Sequence, residues 1–316
     1  MPDADPLRIV YLGTGPFAVP ALEALVRSRH DVAALVTQPD RVARGGRRHA
    51  NEAKQAAERL GVAVLQPERI NDDAAIAELA DLDADLTVTA SYGQYLGRRV
   101  REITPHGAIN LHGSILPKYR GAAPVQWAVW NREAESGVSV FQIGKGMDTG
   151  PVFHFARCPV EPTDTSADLF ARLAALSADA CLEVVDAIAD RSAVAIPQDE
   201  SQATHARKLT KADGEIDWSQ PAERVRGQVL ATQPWPKAST TFGGRRLIVL
   251  GVTPREGSGS LGEVLQADGE LVVACGVGAV RIDRVQVEGK AAMDAAALLN
   301  GYDIAAGQMF GPRGAA

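Results

Sequence analysis

Hydrophobic and polar positions along this chain follow two periods, and the changes between them mark its elements. Residues 7–13, Leu-Arg-Ile-Val-Tyr-Leu-Gly, form a nearly continuous apolar run and read as a buried first strand. Thr14-Gly15-Pro16 turns the chain, and apolar residues then recur at helical spacing from Phe17 to Ser28 through Ala21, Leu22, Leu25 and Val26. Asp31–Val36 is a second apolar run. Further on, the pattern predicts a helix over 51–60, a strand at Val62–Leu65, a helix over 72–80 with Ala75, Ile76 and Leu79 inward, and a strand at Asp85–Ala90. Strand, turn, helix and strand joined by short connections point to a doubly wound α/β, Rossmann-like domain with a parallel sheet.

Residues 107–112 continue as a strand, a helix begins at Pro124–Trp130, and Ser136–Ile143 and Pro151–Val160 read as antiparallel neighbours. A long helix follows from Asp164-Thr165-Ser166 to about Asp190, with Leu169, Leu173, Leu176, Ala180 and Val184 on one face. The apolar pattern then stops. The expected division is a catalytic domain over 1–190, a polar linker over 191–208 and a second domain over 209–316. In that domain a helix from about Ala222 to Leu230 precedes five short strand-like runs, 238–243, 246–252, 261–266, 271–275 and 279–286. They predict a small β-barrel, OB-like, with Asp294–Leu299 as a closing helix.

Composition adds limits rather than a class. The 316 residues, 46% hydrophobic and 23% charged, suit two globular domains. A net charge of −6 gives no overall basic field, so any nucleic-acid contact has to be a local patch. Cys158, Cys181 and Cys275 lie far apart and show no metal spacing, which fits reduced thiols in a cytoplasmic protein. No apolar run is long enough for a membrane span, and the first residues have no signal-peptide core.

Candidate chemistry concentrates at three places. Asn110 and His112 interrupt the apolar Ala108, Ile109 and Leu111 two residues apart, so both project from one face at the end of their strand. An amide donor beside an imidazole suits chemistry on a carbonyl; a pair of capping groups is the alternative. Gly144-Lys-Gly-Met-Asp-Thr-Gly150 is a tight loop around Asp148, which either orients such a histidine or serves as a turn residue. Arg41, Arg44, Arg47 and Arg48 crowd one glycine-bearing loop without an acid, which suggests a phosphate partner over a merely solvated loop. Gly13-Thr14-Gly15-Pro16-Phe17-Ala18 satisfies a dinucleotide fingerprint. The second strand, however, ends Thr37-Gln38-Pro39 without the acid that holds a ribose, so a closely packed turn is the preferred reading.

Asn110-Leu111-His112-Gly113-Ser114-Ile115-Leu116-Pro117 and Met147-Asp148-Thr149-Gly150 together resemble the folate-dependent formyltransferases. Lys118-Tyr-Arg-Gly-Ala-Ala-Pro-Val-Gln-Trp127 narrows the resemblance to the methionyl-tRNA formyltransferase branch and its close relatives. Asp217-Trp218-Ser219, Pro234-Trp235-Pro236 and Leu298-Leu299-Asn300 extend it across the second domain. The resemblance implies an enzyme that moves the formyl group of 10-formyltetrahydrofolate to the amine of methionyl initiator tRNA, without a metal; a monomer is the expectation, which the sequence itself does not give. It implies Asn110, His112 and Asp148 as catalytic, and Ser114, Ile115, Leu116, Pro117, Tyr92, Gly93 and Gln94 as the folate site. It also places Arg41, Arg44, Arg47 and Arg48 where a loop approaches the tRNA acceptor stem. The chain departs from the family just after that loop, with Ala50-Asn51-Glu52-Ala53-Lys54 in place of a Pro-Ser-Pro-Val-Lys-like segment. The rivals are a formyltransferase for an amino-sugar nucleotide, an NAD-dependent oxidoreductase using the Gly13–Ala18 turn, and a non-catalytic tRNA-binding protein.

Overall fold

The computed structural model describes residues 5–42, 48–49 and 51–311. They form two compact units. One comprises Met1–Gly121, Glu135–Cys158 and Phe170–Ala206; the other comprises Ala122–Ala134, Pro159–Leu169 and Arg207–Ala316.

The first unit is built on a sheet of β1 (Arg8–Gly13), β2 (Asp31–Val36), β3 (Val64–Leu65), β4 (Leu86–Ala90), β5 (Ala108–His112), β6 (Glu135–Gln142) and β7 (Val152–Pro159). Their order across the sheet is β7-β6-β5-β4-β1-β2-β3. The pairs β1–β2, β1–β4, β2–β3 and β4–β5 are parallel. β6 runs antiparallel to β5, so the sheet is parallel only in part. β1 and β4 are buried almost throughout; β1 accordingly reads as a nearly continuous apolar run, whereas β4 carries buried Thr87 and Thr89 between Leu86, Val88 and Ala90. The chain winds outward through β2 and β3 and returns to the other side of β1 with β4. This reversal brings the loops after β1, β4 and β5 to one carboxyl edge.

The first turn shows why sequence periodicity and helix start differ. Pro16–Ala18 is a 3-10 turn, and α1 (Val19–Arg27) begins only with Val19-Pro20, because proline lacks an amide donor and suits a helix's first turn. A β-carbon on Gly13 would lie 2.7 Å from the Ala18 Cβ and 2.8 Å from the Tyr11 ring, so this glycine lets the turn pack tightly. α2 (Glu52–Leu60) is capped by Asn51, which accepts from the Lys54 amide, and stops at Gly61 with φ 72°. One face of the core gathers Val10, Leu12, Val36, Ile70, Leu79 and Tyr92.

In the second unit, β8 (Ser239–Phe242), β9 (Arg245–Arg255), β10 (Val264–Asp268), β11 (Glu270–Ala274) and β12 (Ala279–Val287) form an antiparallel sheet in the order β8-β9-β12-β11-β10. A further strand, β13 (Ala292–Asp294), pairs with β12. Residues near 310 then join both outer strands: Gly311 bridges to Thr241 of β8, and Met309 to Glu263 beside β10. Phe310 between them is 1% exposed, with its ring 5.6 Å from that of Phe242. This pairing satisfies edge groups that an open sheet would leave free. A helix at Ala222–Ala231 supplies Val225 and Val229 to the core beneath the sheet.

Candidate active site

Asn110 and His112 stand at the carboxyl end of β5, opposite Phe141 and Ser139 of β6. The neighbouring strand sets the orientation of the Asn110 amide. Thr89 on β4 donates its hydroxyl to Asn110 Oδ1 at 2.6 Å. With the oxygen so engaged, Nδ2 is the end left for a ligand, and among the described residues nothing accepts from it.

His112 is 6% exposed, and its ring stands edge-on to Phe141. Nε2 lies 3.0 Å from the Tyr119 carbonyl oxygen. A carbonyl only accepts, so Nε2 carries the hydrogen and Nδ1 of the neutral ring is the free base. Nδ1 faces Asp148 Oδ2 at 3.7 Å. That gap is too long for a direct hydrogen bond and leaves room for one bridging water. Asp148 Oδ2 also accepts from the Gly121 amide at 2.8 Å. Asp148 itself has φ 54°, a left-handed conformation held by its surroundings. Gly150, two residues on, has no room for a side chain, since a β-carbon would lie 1.7 Å from the Gln142 carbonyl oxygen.

The loop after β5 is tied down by its own groups and by β6. Ser114 Oγ donates to the Lys118 carbonyl, Ser139 Oγ donates to the Ser114 carbonyl, and the Leu116 amide donates to Ser139 Oγ. The Leu116-Pro117 peptide is cis. Ser114 and Leu116 are buried; Ile115 and Pro117 keep part of their surface. In the loop after β4, Gly93 is exposed with φ 88°, while Gln94 is engaged with the Ile70 amide and the Glu68 carbonyl. The Tyr92 ring sits in the core, and burial pushes its hydroxyl up to about 12. Its carbonyl accepts from Thr14 and Gln38.

Arg41–Val42 and Arg48–His49 pair as a two-stranded ribbon after β2. Arg44 and Arg47 lie outside the described residues, as do the side chains of Arg41 and Arg48. Just before the ribbon, Asp40 holds Lys54 Nζ at 2.7 Å and accepts from Gln66. That carboxylate is therefore engaged in bracing the loop's root. β2 ends at Val36 and is followed by Thr37, Gln38 and Pro39.

Neither the hydrophobic pattern nor the motifs assigned a role to Thr89, Ser139, Arg120 or Gln198. A threonine at the end of a buried strand is a signal that was available; Gln198, in a patternless polar stretch, offered none.

A family model described as formyl transferase matches residues 7–185, and one described as formyl transferase, C-terminal domain, matches residues 208–303. The chain belongs to the formyl transferase family. The methionyl-tRNA formyltransferase of Anaeromyxobacter dehalogenans (strain 2CP-C) is 44% identical over 302 residues, 93% of this chain and 97% of the relative. That of Acidiphilium cryptum (strain JF-5) is 41% identical over 307 residues, 96% of this chain and all of the relative. Among solved structures, the N-formyltransferase from Helicobacter canadensis in complex with folinic acid and dTDP-3-aminofucose has a TM-score of 0.65 at 16% identity. The match covers 89% of this chain and 99% of that one. HypX from Aquifex aeolicus in complex with tetrahydrofolic acid has a TM-score of 0.58 at 18% identity, over 93% of this chain and 47% of that one. The structural likenesses show the family's fold.

Proposed function

We propose that this chain transfers the formyl group of 10-formyltetrahydrofolate to the α-amine of methionyl initiator tRNA. The observation that carries the chemistry is Asn110 Nδ2, which has no acceptor among the described residues, beside a histidine whose Nδ1 faces a carboxylate. An amide donor and a base side by side fit a carbonyl substrate under attack by an amine. The choice of acceptor is supported by the name shared by relatives at 37–44% identity.

Asn110 Nδ2 donates to the formyl oxygen as the amine nitrogen bonds to the formyl carbon and charge builds on that oxygen. His112 Nδ1 takes the proton that the amine loses, while Nε2 stays bound to the Tyr119 carbonyl. Asp148 stabilises the resulting imidazolium across the 3.7 Å gap, directly or through one water. As the bond from the formyl carbon to the folate nitrogen breaks, His112 returns its proton to that nitrogen. Exposed Gly93 and half-buried Ile115 and Pro117 line the approach for the folate, with Ser114, Leu116, Tyr92 and Gln94 shaping it from behind. The ribbon that carries Arg41 and Arg48 follows β2 at the same sheet edge and, with Arg44 and Arg47, takes the phosphates of the acceptor stem. Such an acceptor belongs to the cytoplasm.

The test is purified protein with 10-formyltetrahydrofolate and three acceptors: methionyl-tRNA, glycinamide ribonucleotide and an amino-sugar nucleotide. Methionyl-tRNA is the one formylated, and Asn110→Ala and His112→Ala each abolish most of that turnover. Near-normal turnover in either variant sinks the assignment.

A further inference from the structure

The catalytic carboxylate sits in a segment that does not hold itself. Gly144, Gly146 and Gly150 bracket it, Met147 is 71% exposed, and Asp148 takes a left-handed backbone. A loop of this composition needs outside groups to keep one conformation. One side chain, fifty positions along the chain, makes the contacts that do so. Gln198 Nε2 donates both hydrogens, one to the Asp148 carbonyl at 2.8 Å and one to the Gly150 carbonyl at 2.7 Å.

Gln198 is in turn oriented. Its Oε1 accepts from Arg120 Nε at 3.1 Å and Nη2 at 2.7 Å, so the amide cannot flip without facing a guanidinium with its own hydrogens. The Arg120 side chain is 4% exposed and completes its set on Glu200, with Nη1 at 2.8 Å from Oε2 and Nη2 at 2.7 Å from Oε1. This fork raises the Arg120 guanidinium further and holds the Glu200 carboxyl below its ordinary range. The next residue after Arg120 is Gly121, whose amide binds the Asp148 carboxylate itself. The Tyr119 amide donates to Thr204 Oγ1 and the Arg120 amide to the Thr204 carbonyl, so the segment from Gln198 to Thr204 is also tied to the loop after β5.

We propose that Gln198, locked by Arg120 and Glu200, is the positioning residue that sets Asp148 against His112. The proposal rests on the reading of Asp148 as a catalytic group. Gln198 touches neither reacting atom; it acts through the loop backbone. The Gly121 amide holds Oδ2, but no direct hydrogen bond joins Asp148 to His112 to restore their 3.7 Å separation once the loop backbone drifts, and the clamp fixes that backbone.

The test is a double-mutant cycle in the full chain. Gln198→Met keeps the volume and removes both donors; Asp148→Ala removes the carboxylate. Gln198→Met alone lowers kcat for formyl transfer roughly 10- to 100-fold, the scale of a small misplacement of a catalytic group. The KM for each substrate stays within about twofold, because substrate contacts are not the target. In the Asp148→Ala background, Gln198→Met lowers kcat no further. An equal loss in both backgrounds, or no loss in the first, overturns the clamp. An Asp148→Ala enzyme with unchanged kcat overturns the reading beneath it, and the clamp with it. Should Gln198→Met not fold, Glu200→Ala loosens Arg120 from a mostly exposed partner and serves the same cycle. Its expected loss is smaller and likewise vanishes without Asp148.

Discussion

Replacing Thr89 by valine removes one hydroxyl and keeps the branched shape. Thr89 is 3% exposed and donates to Asn110 Oδ1 at 2.6 Å, so the change leaves that oxygen without its partner and the amide free to turn over. A net hydrogen bond contributes about 1 kcal/mol, roughly a fivefold bias in population. An amide presenting its oxygen to the developing negative charge is inactive, so kcat should fall about two- to tenfold. Asn110→Ala, which removes the donor altogether, should cost on the order of 10²- to 10³-fold. The same missing bond should lower the thermal midpoint by about 2–4 °C for a chain of this size. Single-turnover formyl transfer at saturating substrates reads the first effect and calorimetry the second. The decisive comparison repeats Thr89→Val in the Asn110→Ala background, where it should cost nothing more. A similar loss there, or wild-type kcat in the single variant, would falsify the orienting role.

Three further outcomes follow from other parts of the molecule. Gly150→Ala puts a β-carbon against the Gln142 carbonyl, a backbone atom that cannot yield; it should destabilise by about 1–3 kcal/mol and reduce kcat by displacing Asp148, read by denaturant unfolding and initial rates. Hydrogen bonds from Arg207 hold the Asp213 carboxyl far below its usual range, so its stabilisation is complete above the ordinary carboxylate pKa near 4 and drains as pH falls below it. Asp213→Asn should therefore lose stability at pH 7 and show a shallower acid limb in unfolding curves between about pH 4 and 2; an unchanged limb contradicts the assignment. Replacing Arg41, Arg44, Arg47 and Arg48 by Ala should raise the KM for methionyl-tRNA, with folate binding unchanged by calorimetry. The salt dependence should flatten by roughly one unit of log–log slope for every arginine that meets a phosphate.

What could be read from the chain beforehand was local. Asp31–Val36 is a strand at the expected residues, because a buried parallel strand writes itself as an unbroken apolar run. The adjacency of Asn110 and His112 followed from the period of two, and the Asp148 loop does lie against His112. What escaped was anything set by register. Which residue stands beside Asn110 depends on how β4 aligns with β5, and pairing Thr89 with Asn110 is a property of both strands. Gln198 escaped for a second reason: it lies in a polar stretch whose partners are backbone carbonyls, and carbonyls leave no mark on sequence. The three-residue β13 is too short for alternation to show, and β9 runs on to Arg255 past a register shift at Gly251.

The pairing of residues 309–311 with both outer strands of the second unit bears on how that unit comes into being on a ribosome. Thr241 and Glu263 wait for partners that are synthesised some fifty to seventy residues later. Until Gly311 has emerged, the nascent sheet carries two open margins capable of capturing a neighbouring chain on the same message. A chain cut short before Gln308 would hold nearly every core residue of the unit and still lack its fastener. Such a fragment is a natural client for chaperones and proteases, and interrupted translation here is expected to yield aggregates rather than a working half-enzyme.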